Sequence, residues 1–220
     1  MTTRQHFIAL LYGQFAGANS LRDIELGLAS HASKLYHLGG ATISRSTLSD
    51  ANASRPAALF TQLFSHLLGL AHRGLRKGLS EAVHLIDSTN LKLTNASHWA
   101  RFCANTNQAK LHIVYDPDAD CPIYANVTTA NVNDITVAKA MPIEPNATYV
   151  FDLGYFDFAW RAKLDQAGCR ISSRLKINTV FHAIQDNPVT HGSPIQSDRI
   201  GMLSQRMARS RKNPYCKPVR

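Results

Sequence analysis

The sequence predicts an α/β protein with a mixed sheet, elements in the order βββαβαβ, preceded by a small helical N-terminal domain. Three observations carry this. Apolar residues recur at helical spacing up to residue 80, and from Val83 they gather into short runs rich in β-branched and aromatic residues. Three consecutive runs are joined by short connections, as in an antiparallel meander. Two later runs alternate with helical segments, which gives the α/β character.

The elements follow in order. Over residues 1–80, Phe7, Leu10, Leu11 and Phe15 mark the apolar face of a first helix. Ser20 can cap a second, with Leu21, Ile24 and Leu28 on one face. Gly39-Gly40 breaks the chain, and residues 44–52 read as a short polar helix. Arg55-Pro56 opens a longer helix whose stripe, Leu59, Phe60, Leu63, Phe64, Leu67 and Leu68, is expected in the core.

Residues 81–180 form the expected α/β core. Its first strand is Val83 to Thr89, followed by Leu91-Lys92-Leu93 and then Lys110 to Asp116. A turn at Pro117-Asp118 leads into Pro122 to Thr128. A helix from Ile135 to Met141 ends before Pro142 and Pro145, and a strand then runs from Tyr149 to Asp152. The helix Phe158 to Ala167 stops at Gly168, and Ile171 to Lys176 gives a fifth strand. Residues 181–220 are punctuated by Pro188, Gly192, Pro194, Pro214 and Pro218 and read as a basic, loop-rich, partly disordered tail.

Charge narrows the function. The formal net charge is +9, and it is segregated: 8 basic against 3 acidic residues over 1–80, 4 against 9 over 81–160, and 12 against 3 over 161–220. Such flanks suit a polyanion, while the acidic centre suits cations. The alternative is ordinary solvated faces. The N-terminal apolar run is interrupted by Gln5, His6 and Gln14 and is too short for a membrane span, so no membrane partner is expected. Cys103, Cys121, Cys169 and Cys216 show no metal-ligand spacing and read as reduced thiols of a cytosolic protein.

Within the acidic centre, two apolar strands each end on one aspartate followed by turn-forming residues, at Asp87 and Asp152. A carboxylate there is costly to desolvate unless it is paired or binds a cation. Two on neighbouring strands suit divalent-metal phosphoryl-transfer chemistry, while capping carboxylates are the plainer reading. Asp134 is read as support for that pair, as a DNA contact from the loop after the third strand, or as a helix N-cap. Asp116, Asp118 and Asp120 lack the glycine and glutamate of a calcium loop and read as a hairpin turn. The polar helix around Arg45, Ser46, Thr47 and Asn52 carries side chains that contact phosphates and base edges, or is a connecting helix rich in capping residues.

Several motifs in this order resemble bacterial insertion-sequence transposases of the DDE type, in the insertion-sequence-four group. The most specific are Leu85-Ile86-Asp87-Ser88-Thr89, Ala130-Asn131-Val132-Asn133-Asp134 and Phe151-Asp152-Leu153-Gly154-Tyr155. Supporting stretches are residues 46–52 and 112–116. The resemblance implies a ribonuclease H-like catalytic domain in which Asp87 and Asp152 are the first two catalytic acids and hold Mg²⁺, or alternatively Mn²⁺. It implies strand cleavage and transfer on double-stranded DNA, at transposon terminal repeats and in target DNA, by a homodimer in the bacterial cytoplasm and nucleoid. Candidate DNA contacts are Arg45, Ser46, Thr47, Asn52, Asn131, Asn133, Arg174 and Lys176. The family's third acid is a glutamate within a Tyr…Arg…Glu…Lys signature, and no glutamate follows Asp152. The expectation is therefore a truncated, catalytically incomplete copy. The competing expectation is a DNA-binding remnant that occupies transposon ends without cutting them.

Overall fold

A computed structural model describes residues 1–75, 81–93, 100–103, 106–203 and 218–220. The chain divides into two compact units, Met1–Phe64 and Ser65–Arg220.

The first unit is helical. Helix α1 (Thr3–Phe15) opens on a capping box: Gln5 N–H donates to the Thr2 hydroxyl, and Thr2 N–H donates to the Gln5 side chain. Ser20 caps α2 (Leu21–Ser30), which leads into the single turn α3 (Ala32–Leu35). Gly39 takes the left-handed conformation, φ 69°, that closes this stretch. Ser44 accepts from Thr47 N–H and caps α4 (Arg45–Ser54). Ile24, Leu28, Leu35, Ile43 and Leu48 form the core together with Ala9.

The inner face of α1 differs from the predicted one. His6, Ala9 and Gly13 are buried, while Phe15 is 84% exposed. The cause is close packing on α2: a Cβ on Gly13 would meet Ile24 Cδ1 at 2.7 Å. Small residues, not the large apolar ones, mark the contact. Helix α5 (Ala58–Leu75) carries its predicted stripe only half-buried, and Leu67 is 51% exposed.

The second unit is built on one mixed sheet. Strand β1 (Val83–Leu93) is continuous, so Leu91-Lys92-Leu93 extends it. The short β2 (Arg101–Cys103) and the long β3 (Thr106–Asp116) follow, then β4 (Cys121–Thr129). Helix α6 (Asp134–Ala138) leads to β5 (Thr148–Phe151), and α7 (Phe158–Gln166) to β6 (Arg170–Ser173). Strand β3 pairs antiparallel with β1 on one edge and with β2 and β4 on the other, whereas β1, β5 and β6 are parallel. With the short β2 the sheet has six strands, four in antiparallel pairings continued by two parallel ones, the mixed sheet that the sequence predicted.

Inward residues alternate as the pleat requires. His84 and Ile86 on β1 lie opposite Tyr149 and Phe151 on β5, and all four are buried. Phe151 packs on Trp160 of α7 with ring centroids 4.8 Å apart, and Tyr155 completes the cluster. Two predicted boundaries move. Strand β6 ends at Ser173, which leaves Arg174 and Lys176 beyond it. The tail expected to be loop-rich contains an antiparallel hairpin, β7 (Phe181–Asn187) and β8 (Asp198–Leu203). Strand β7 is mostly exposed and lacks the apolar alternation that announces a half-buried strand, while β8 buries Gly201 and Leu203.

Candidate active site

The parallel register of β1 and β5 builds the site. Its last pair is Ile86 with Phe151, so Asp87 and Asp152 follow at matched positions on adjacent strands. By pleat alternation both belong to the face opposite the buried Ile86 and Phe151. Asp87 remains inside β1, which continues alongside β3. Asp152 has left the sheet and caps the 3₁₀ turn Leu153–Tyr155. Both residues are exposed.

Each carboxylate is held by one oxygen. Ser88 N–H donates to Asp87 Oδ1 at 2.8 Å, and Gly154 N–H donates to Asp152 Oδ1 at 2.9 Å. Among the described residues neither Oδ2 has a hydrogen-bond partner. The donor set is thus two hard oxygens at the protein surface, the chemistry that suits Mg²⁺ or Mn²⁺ with water and phosphate completing the shell. Among the described residues, no group of three or more His, Cys, Asp or Glu is gathered closely enough to hold a metal ion.

A third carboxylate lies beside the pair. Asp134 stands at the start of α6, but it does not cap that helix; the N-cap is Asn133, whose side chain makes no capping bond. Instead Asp134 Oδ1 accepts from the Ser88 hydroxyl at 2.8 Å and pairs with Lys110 Nζ at 3.1 Å. Lys110 also donates to Val132 O at 3.1 Å. His112, fully buried, hydrogen-bonds Thr128 through Nε2 at 2.9 Å, with Nδ1 3.7 Å from Asp134. Burial holds its imidazole below the ordinary value, against the pull of the Asp134 carboxylate. Tyr155 is 1% exposed, and among the described residues its hydroxyl makes no hydrogen bond. Burial, then the charges of Asp134, Asp87 and Asp152, push that hydroxyl far above its usual range, while nearby Ser88 pulls it down.

The remaining candidates are scattered. Arg45, Ser46 and Thr47 are exposed on the first turn of α4. Asn52 is exposed, but its side chain shares a 2.7 Å hydrogen bond with buried His6. Asn131 and Asn133 are exposed in the loop after β4, the former donating to Arg101 O. Arg174 and Lys176 are exposed after β6, with Lys176 Nζ 5.1 Å from the centre of the Phe156 ring. His84 is held in the core by Glu144, 2.8 Å away, and by the Tyr149 ring. Cys103, Cys121 and Cys169 form no disulfide, and Cys216 lies outside the described residues. No described helix is long and apolar enough to cross a membrane. Ser88, Lys110 and Tyr155 were not singled out by sequence. Ser88 and Tyr155 sit inside the aspartate motifs, and their adjacency was the available signal.

Comparison with known proteins agrees with these motifs. A domain of unknown function matches residues 1–41. The protein named "Putative transposase y4zB" of Sinorhizobium fredii is 40% identical over 142 residues, covering 64% of this chain. The chain spans 40% of the length of that relative. Among solved structures, the piggyBac transposase synaptic complex with hairpin DNA aligns over 62% of this chain and 31% of its own, at 12% identity and a TM-score of 0.38. The Mos1 transposase paired-end complex with left transposon end aligns over 78% and 59%, at 10% identity and a TM-score of 0.28. The family described as the transposase DDE domain matches residues 79–219, more than half of the chain and all of the aspartate-bearing sheet, and the chain belongs to that family.

Proposed function

We propose that this chain supplies two metal-holding carboxylates of an insertion-sequence transposase, Asp87 and Asp152, for cleavage and transfer of DNA strands at transposon ends. The observation that supports this reading is the β1–β5 register, which aligns both aspartates with Oδ1 already occupied and Oδ2 open. A divalent ion held there supplies Lewis acidity toward a phosphodiester oxygen. The chain's own residues orient: Ser88 and Gly154 fix the two carboxylates, and Arg174 and Lys176 offer positive charge to the phosphate backbone beyond the neighbouring strand. Arg45, Ser46 and Thr47 form a further exposed DNA contact on α4.

A second reading, duplex binding without cleavage, is favoured by the exposed basic and polar side chains at Arg45, Ser46 and Thr47 on α4 and at Arg174 and Lys176 after β6. Two measurements on the 220-residue chain separate the readings. Mn²⁺ titration followed by electron paramagnetic resonance should show binding that weakens at least about tenfold in Asp87→Asn and in Asp152→Asn, since each removes a charged ligand. Binding indifferent to both substitutions would overturn the metal assignment. An assay on terminal-repeat DNA with Mg²⁺ then decides between the two: cleavage that is lost in Asp87→Asn and Asp152→Asn supports the first reading, and binding without cleavage supports the second.

A further inference from the structure

We propose that Asp134 is a positioning residue that sets the spacing of Asp87 and Asp152, acting through Ser88 on one side and the turn Leu153–Tyr155 on the other. The inference rests on the metal reading of that pair. Asp87 is fixed by the β1 ladder, but Asp152 lies one residue past the last paired position of β5. Something outside the ladder must hold its turn against β1. Asp134 is placed to do so. Its Oδ1 takes the Ser88 hydroxyl, and its Oδ2 lies 3.0 Å from the point where a Cβ on Gly154 would stand. Asp152 Oδ1 lies 3.1 Å from that same point, so Asp134 packs directly against the turn that carries Asp152.

Two further observations point the same way. Lys110, only 14% exposed, pairs with Asp134 and is anchored on Val132 O, so the carboxylate is compensated from behind. Its role is therefore separable from those of the two exposed aspartates. The buried Tyr155 hydroxyl has no hydrogen-bond partner among the described residues and lies beside Ser88. A small rotation lets Ser88 Oγ accept from Tyr155 while it donates to Asp134. A chain of contacts would then run from the Asp152 turn to β1 and on to α6.

The test is Mn²⁺ affinity, measured together with circular dichroism and thermal unfolding. Asp134→Ala and Ser88→Ala should each weaken Mn²⁺ binding by about tenfold or more, the range found for partners that orient metal ligands, with the fold retained. Asp134→Asn keeps an acceptor for Ser88 and should lose less than Asp134→Ala. The double substitution should cost little more than Asp134→Ala, because both act along one path. Unchanged affinity in Asp134→Asn and Ser88→Ala, the two mildest variants, would overturn the inference, as would fully additive losses. If the unaltered chain binds no Mn²⁺, the reading of Asp87 and Asp152 fails first. If it binds through them but ignores Asp134 and Ser88, only this inference fails.

Discussion

His112 is a neutral imidazole enclosed between Thr128 and Asp134, and its burial sets the sign of a pH effect. In the unfolded chain it takes up a proton near 6.5, while in the fold it does so only at lower pH. Between those values the unfolded state binds more protons, so stability falls as pH drops through that window and is fully present above it. Urea unfolding at pH 7.5 and pH 5 should show this loss, and His112→Gln should flatten it even though the variant is weaker overall. An unchanged slope in the variant would show that another group carries the acid sensitivity. Asp134 shows why such details escape a sequence. Its position invited a capping role, but its actual partner, Ser88, lies 46 residues away and is brought near only by strand pairing.

At the scale of elements, α1 separates hydrophobicity from burial. Its largest apolar side chains do not define its contact; Ala9, fully buried, and Gly13 do. Ala9→Leu should cost about 1–3 kcal/mol by overpacking the interface with α2, whereas Phe15→Ala should stay within about 0.5 kcal/mol. Denaturant unfolding of the whole chain compares the two, and the reverse order would restore the stripe read from the sequence. The strands were more legible. Those of the main sheet that carry Ile86, Val114 and Phe151 show apolar runs because one or both faces are covered. Strand β7 was not legible, since Ile184 at 65% exposure and its polar neighbours give no inward face to detect.

Across the whole molecule the governing quantity is charge. A net +9, with its acidic residues concentrated in the segment that carries Asp87 and Asp152, favours a phosphate backbone over the basic segments. Duplex DNA should therefore bind with little sequence preference at low salt, and the logarithm of affinity should fall linearly with the logarithm of salt. Each neutralised phosphate contributes a slope of about −0.9 on B-DNA, so Arg174→Ala and Lys176→Ala should each shallow the slope by about one. Gel shifts over a salt series measure both effects. Binding that ignores salt would remove the electrostatic account.

Gly154 has a consequence for ion size. An alanine there would place a methyl 3.0 Å from Asp134 Oδ2 and 3.1 Å from Asp152 Oδ1, inside ordinary contact. Asp134 is tied to Ser88 and Lys110, so Asp152, held by one backbone N–H, is the group that yields. A displaced ligand matters most to a cation with strict octahedral geometry and short bonds, about 2.0–2.1 Å for Mg²⁺, and least to one that accepts irregular shells at about 2.3–2.6 Å, as Ca²⁺ does. Gly154→Ala should lose Mg²⁺ affinity more than Ca²⁺ affinity, a change calorimetry with the two ions can read; equal losses would refute it. On the metal reading, the bare position at residue 154 leaves Asp152 free to keep its place beside Asp87 at the reach a small ion needs.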